Sequence, residues 1–254
     1  MSAKIIGVVS GKGGAGKTVT AINLSLALHN LGHVVTLLDA DVTAPNIGLQ
    51  LGIYSFPATL QDVMRGSGSI RHAIYAHPLG LKIIPSSISL ENIELDTSHL
   101  KEALSELDGT VIIDSPPGLG KDAMSVLDAC DEIIVVSNPE MQAVANALKV
   151  IRVALGMKKP VIGLVMNRCE KERYNLTPSE ITTLCETPIL SEIPDDRDVK
   201  MSVFEKTPVI SYNPYSRAAI EFQKLACAVA GVKYDQPKNL ALKRLSVKIK
   251  RMLG

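Results

Sequence analysis

The chain has no tryptophan and only three phenylalanines, and aromatic residues make up 4% of its 254 residues. An interior built on large rings is thereby excluded, and the 46% apolar share must come from the aliphatic side chains that fill α/β cores. Paired cysteines are missing too. Cys130, Cys169, Cys185 and Cys227 stand far apart with no C-x-x-C spacing, which argues against a local zinc or iron–sulfur pair and for reduced, buried thiols. No window approaches the ~18 apolar residues that span a bilayer. The apolar stretch Ile5 to Val9 ends before Lys12 and is too short for a secretory signal. These absences read as a soluble protein. The last 17 residues contain no acid at all.

What is present begins at Gly11-Lys12-Gly13-Gly14-Ala15-Gly16-Lys17-Thr18. This is a phosphate-binding loop of the pattern G-x-x-x-x-G-K-T, with a second lysine that the pattern does not require. Its glycines let the backbone approach phosphates closely, so that successive N–H groups point at oxygens. Lys17 would neutralise the β- and γ-phosphates, and the Thr18 hydroxyl would ligate Mg²⁺. The helix that starts near Gly16 adds its positive end to the same anion site, and Thr20, just inside it, joins the nucleotide-binding candidates. A β-type run, Lys4 to Ser10, precedes the loop, and Thr18 to Leu31 follows with helical apolar spacing at Ile22, Leu24, Leu26, Ala27 and Leu28.

Further apolar runs at Val34–Asp39, Leu81–Pro85, Thr110–Asp114, Glu132–Ser137 and Val161–Asn167 read as strands. Their near-continuous hydrophobicity predicts a mainly parallel sheet covered on both faces. Ser98–Leu107, Ala123–Ala129, Glu140–Leu155 and Pro178–Cys185 read as the intervening helices. The expected fold is α/β, a doubly wound sheet of the P-loop NTPase type forming one domain over residues 1–235, with a basic tail over 236–254. The ligand is expected outside the carboxyl ends of the strands.

Three acids stand at such ends. Asp39 and Asp41 close the strand of Leu37-Leu38-Asp39-Ala40-Asp41, and Asp114 ends Val111-Ile112-Ile113-Asp114. A hydrophobic run closed by an acid usually holds Mg²⁺ in P-loop enzymes, which makes Asp114 and Asp39 metal candidates beside Thr18. Behind Asp114, the stiff turn Ser115-Pro116-Pro117-Gly118 could present the Gly118 N–H to a γ-phosphate.

The phosphate loop, Leu38-Asp39-Ala40-Asp41, Ile112 to Gly118 and Ser137-Asn138-Pro139-Glu140 together resemble the deviant Walker-A ATPases, and within them the MinD family, over nearly the whole chain. The resemblance implies an ATPase that uses ATP, ADP and Mg²⁺. It implies that Lys12 crosses a two-fold interface to the nucleotide of the other subunit, and that Asp41 orients the attacking water. Asn46 and Gly118 fall in switch segments; Asn167 and Arg168 match the position that recognises adenine, and Pro194 and Asp195 the loop that closes over the base. The implied process is spatial regulation of cell division through septum placement.

A cation delivered in trans makes turnover conditional on association, so ATP would stabilise a homodimer and hydrolysis would loosen it. Lys238, Lys243, Arg244, Lys248, Lys250 and Arg251 give the tail a charge of +6 and leave 21 bases against 26 acids in the rest. At about 100° per residue, Leu242, Leu245, Ile249, Met252 and Leu253 share one arc, while Val247 and Leu240 fall outside it. Such a helix reads as an interfacial anchor for an anionic membrane. The bland alternatives are a docked terminal helix or a disordered basic extension. The expected localisation is cytoplasmic, and peripheral on the inner face of the cell membrane when ATP is bound. A protein activator or effector is implied but not identified by the sequence.

A ParA-type ATPase for DNA segregation, or for positioning another cellular structure, is the alternative, because six bases also suit phosphates. The net acidic body and the apolar arc weigh against nucleic acid. Single cysteines weigh against the cluster-bridging relatives, Asp41, Asp114 and Thr18 against a non-hydrolysing binding module, and the lack of an acceptor-binding insertion against a kinase.

Overall fold

The run Lys4–Val9 forms strand β1 and sends Ile5 and Val9 into one apolar layer and Ile6 and Val8 into the other. Period-two geometry allows this only if both faces are covered. The same division holds along β2 (Val35–Asp39), where Leu37 and Leu38 part, and along β5 (Thr110–Asp114), where Ile112 and Ile113 do. The computed structural model describes residues 3–87, 99–170 and 172–253, and within the last helix the side chains of Leu245 and of 248–253 lie outside the described residues.

Chain order gives β1, α1 (Lys17–Asn30), β2, α2 (Ile47–Leu51), α3 (Leu60–Met64), a 3₁₀ turn at Ile70–Ala73, β3 (Tyr75–Ala76), β4 (Lys82–Ile84), α4 (Leu100–Leu104) and β5. Then follow α5 (Lys121–Ala129), β6 (Glu132–Ser137), α6 (Met141–Gly156), β7 (Val161–Cys169), α7 (Pro178–Cys185), β8 (Ile189–Pro194), α8 (Arg197–Phe204), α9 (Val209–Tyr212), α10 (Arg217–Ala230) and α11 (Leu240–Leu253).

The eight strands lie in the order β3-β4-β2-β5-β1-β6-β7-β8, parallel except for the β3–β4 pair. Helices α4, α5, α6 and α7 cover one face; α1, α9 and α10 cover the other. The chain moves outward on one side of β1 through β2 and on the other through β6. The carboxyl ends of β1, β2 and β5 therefore converge at the point where the winding reverses, the usual ligand crevice of such sheets. Strand register fixes the convergence, since Asp39 stands opposite Asp114 and Asp114 opposite Val8.

The expected α/β, mainly parallel architecture is what the chain adopts. The sequence reading omitted β3, β8, the short helices α2 and α3, the 3₁₀ turn at Ile70–Ala73 and α8 to α10, and it drew the segment Ser98–Leu107 longer than α4; Ser98 lies outside the described residues. Helix α10 carried its own signals: Ser216 accepts from the Ala219 N–H at its start, and Gly231 at φ 69° ends it. Among the described residues, no helix is long and apolar enough to cross a membrane.

Candidate nucleotide site

Gly16 sits at φ 98°, in the left-handed region, immediately before α1, and a Cβ there would lie 2.0 Å from Asn167 Nδ2. Glycine is required at this position by backbone and neighbour alike. Gly13 differs. Its φ is ordinary and a Cβ added to it would meet nothing within 4 Å, so the protein itself does not demand a glycine there. A phosphate pressed against the backbone would. No side chain caps the start of α1, which leaves the N–H groups of its first turn to an anion.

Lys17 opens α1 and is buried at 7% exposure. Burial lowers its pKa, opposed by the carboxylates of Asp114 and Asp41. Asp114 is 1% exposed. Burial pushes its carboxyl up to about 7, against the pull of the Thr18 hydroxyl and Lys17 and with a further push from Asp41. Its Oδ1 is buried with no hydrogen-bond partner. An orphaned carboxylate oxygen beside a threonine hydroxyl is a donor set that suits Mg²⁺ or its water shell. Burial also raises Asp41, which takes the Ala44 N–H on Oδ1 at 2.9 Å and lies within the field of Lys17.

Asp39, expected as a metal ligand, has a different position. Its Oδ1 accepts from Asp41 N at 3.2 Å and its Oδ2 from Asn46 N and Ile47 N, both at 3.0 Å. Both oxygens are committed to shaping the 40–47 loop, because a buried carboxylate needs such donors. Burial, then Asp114, raises its pKa well above the ordinary value. Asn46, expected in a switch, is thereby tied to Asp39. The Gly118 N–H, expected to face a γ-phosphate, donates instead to Ser10 O at 3.0 Å. Thr20, expected beside the nucleotide, is 0% exposed and its hydroxyl donates to Gly16 O at 2.9 Å, which supports the loop.

Around the expected base site, Asn167 donates from Nδ2 to Ala15 O at 2.8 Å, binding the end of β7 to the phosphate loop. Asn138 donates to Asn167 O at 3.0 Å. Arg168 bulges out of β7 at φ 55°, and its charge helps lower Asp195, whose chief partner is the Lys200 ammonium at 2.9 Å. Pro194 ends β8 opposite Cys169. The fold thus gathers Asn167, Arg168, Pro194 and Asp195 at one edge of the crevice.

Lys12 forms an ion pair with Glu140 of its own chain, 3.3 Å from Nζ to Oε2. Glu140 and Asn138 were visible in the sequence only as members of a motif without assigned roles; their polar side chains beside a strand end were the available signal. Of the tail, Lys243 and Arg244 lie against Tyr215 and Leu242 is 65% exposed. The side chains of Leu245, Lys248, Ile249, Lys250, Arg251, Met252 and Leu253 lie outside the described residues.

A family model described as an AAA domain matches residues 3–161, and one described as a NUBPL iron-transfer P-loop NTPase matches 98–230. Cys130 is 1% exposed and burial pushes its thiol up to about 12; Cys169, pushed up to about 12 as well, donates to Met166 O at 3.4 Å. Neither is presented as a cluster thiolate. The chain is 35% identical over 254 residues to an uncharacterized ATP-binding protein of Methanocaldococcus jannaschii, covering 98% of this chain and 96% of that protein. It is 31% identical over 239 residues to the septum site-determining protein MinD of Thermotoga maritima, covering 89% and 88%. The structure of MinD complexed with Mg-ADP from Pyrococcus horikoshii superposes with a TM-score of 0.85 at 33% identity, over 95% of this chain and 98% of that one.

Proposed function

The chain belongs to the MinD/ParA family of P-loop ATPases, and from that premise we propose that it is a Mg²⁺-dependent ATPase that dimerises on ATP, binds an anionic membrane reversibly and takes part in placing the division septum. The observation that carries the chemical part is the buried group of Lys17, Asp41 and Asp114 at the mouth of the phosphate loop, with Asp114 Oδ1 unpartnered.

The Thr18 hydroxyl and Asp114 would hold Mg²⁺, which supplies charge neutralisation at the phosphate oxygens. Lys17, held in place by Asp114 and Asp41, adds a fixed cation at the β- and γ-phosphates, and the N-terminus of α1 adds its dipole. Asp41 orients water for in-line attack; the Ala44 N–H positions its Oδ1. Asn167, with Nδ2 committed to Ala15 O, offers its Oδ1 to a base amine, which favours adenine. Lys12 contributes only after leaving Glu140 for the partner's nucleotide, so hydrolysis waits for association.

The membrane part rests on the +6 tail with its apolar arc. Two tails in a dimer bind together with a higher effective concentration than one, which couples ATP to membrane residence. Lys17→Ala should abolish ATP binding, whereas Lys12→Ala should bind ATP and lose dimer-linked turnover. Co-sedimentation with anionic liposomes, with ATP or ADP, of the intact chain and one ending at Asp235 tests the tail. ATP-independent binding to DNA without liposome binding would replace this reading with the DNA-segregation one.

A further inference from the structure

The β6–β7 ladder ends at the pair Ser137–Met166, and Pro139, just beyond, has no N–H with which to extend it. A side chain supplies the next bond. Asn138, 4% exposed, donates from Nδ2 to Asn167 O at 3.0 Å. Directly after Asn167 the pairing of β7 with β8 shifts register and Arg168 takes φ 55°, a conformation that costs a non-glycine residue energy and persists only where its surroundings enforce it. The Asn138 bond stands at that point.

Asn138 is itself firmly placed. A residue before proline is biased to extended backbone, Pro139 O accepts from Leu176 N at 2.8 Å, and Glu140 bridges to Asn175. Helix α6 then begins at Met141, and its main chain lies close against the start of the phosphate loop: a Cβ on Gly11 would lie 2.4 Å from Asn146 O. The loop is thus gripped at Gly11 by α6 and at Ala15 and Gly16 by Asn167. Asn138 joins the two grips.

The orientation of Asn167 matters because its amide has two unlike ends. With Nδ2 given to Ala15 O, Oδ1 is what remains for a base. The 6-amino group of adenine donates to such an oxygen, whereas guanine carries an acceptor, O6, at that position and would set acceptor against acceptor. An Asn167 amide free to turn over would serve either base. Discrimination against guanine therefore depends on whatever keeps Asn167 in register with Ala15.

We propose that Asn138 is that positioning residue: by fixing the main chain of Asn167 it sets the preference for adenine over guanine. This rests on the reading of Asn167 as the base-facing group. Calorimetric binding of ATP and of GTP, with Mg²⁺, is measured on the full chain and on Asn138→Ala, Asn138→Ser, Asn167→Ala and the Asn138→Ala, Asn167→Ala double variant. Serine keeps a polar group at the buried position while its hydroxyl falls one bond short, which guards against a fold lost in alanine. The ratio of the two dissociation constants cancels any loss of folded protein, so a purely structural role leaves it unmoved.

Asn138→Ala and Asn138→Ser should each lower the preference for ATP by about three- to tenfold, the scale of one net hydrogen bond. In the Asn167→Ala background the Asn138→Ala change should lower it no further. An unchanged ratio in both Asn138 variants, beside a lowered one in Asn167→Ala, would overturn the proposal and leave the base reading standing. A drop of equal size with and without the Asn167 side chain would overturn the route through Asn167. If Asn167→Ala itself keeps the parent's ratio, the base reading fails and the proposal with it.

Discussion

Lys12 Nζ lies 3.3 Å from Glu140 Oε2 of the same chain, and both side chains are substantially exposed, at 36% and 54%. An exposed pair of this kind contributes about 0–1 kcal/mol, so the lysine is held weakly enough to leave. Lys12→Ala should therefore shift the free energy of unfolding by less than about 1 kcal/mol while eliminating ATP-dependent dimerisation and the turnover that depends on it. Thermal denaturation and size-exclusion chromatography with ATP check the two halves separately. Unaltered dimerisation in the variant would reject a role in trans.

The two glycines of the loop should separate stability from binding. Gly16→Ala places a methyl 2.0 Å from Asn167 Nδ2 at φ 98° and should cost at least about 1–3 kcal/mol. Gly13→Ala meets nothing within 4 Å and should leave stability within about 0.5 kcal/mol, yet weaken nucleotide binding where the backbone must approach a phosphate. Urea titration and calorimetric ATP binding measure the pair; equal destabilisation by both substitutions would contradict the geometry.

Burial raises Asp114 to about 7, so the folded, metal-free protein retains a proton that the unfolded chain has already released. The raised folded pKa gives stability that is complete below the ordinary carboxylate range and is lost as pH climbs through about 7. In chelator, the melting temperature should fall between about pH 5 and pH 8 relative to Asp114→Asn, which cannot ionise. A parent that gained stability over Asp114→Asn across that interval would reverse the assignment.

Phe222 of α10 is fully buried at 0% exposure, in the layer that also holds Leu24 of α1 and Ile193 of β8. Phe222→Ala should cost about 3–5 kcal/mol through lost burial and the cavity left behind. Denaturant unfolding measures it, and a loss below about 1 kcal/mol would mean that this layer collapses around the gap.

Much of the site was legible because its chemistry is written in contiguous residues. Gly11 to Thr18 specify a turn and a helix start within eight positions, and Asp39, Asp41 and Asp114 follow apolar runs that only a strand would bury. What the sequence did not show depended on partners distant in the chain or on the loop's own folding. Gly118 N–H had an acceptor at Ser10 O, and Asp39 had three donors in the loop it shapes; spacing alone does not reveal that such groups are already satisfied. The α10 helix, by contrast, carried a cap and a terminating glycine that sequence reasoning could have used.

By itself the sequence determined the local periods of the strongly patterned segments, such as β1, α1, β2 and β5, where the phosphate loop turns, and that the tail concentrates positive charge. These follow from backbone sterics and the separation of apolar from polar side chains, both effective over a few residues. Tertiary structure alone decided that β1, β2 and β5 end together, that Asn167 bonds Ala15 across 152 positions, that Lys12 rests on Glu140, and that Tyr215 supports the tail. Those pairings are selected by burial and hydrogen bonding between distant parts of the chain, and they exist only once the sheet is assembled.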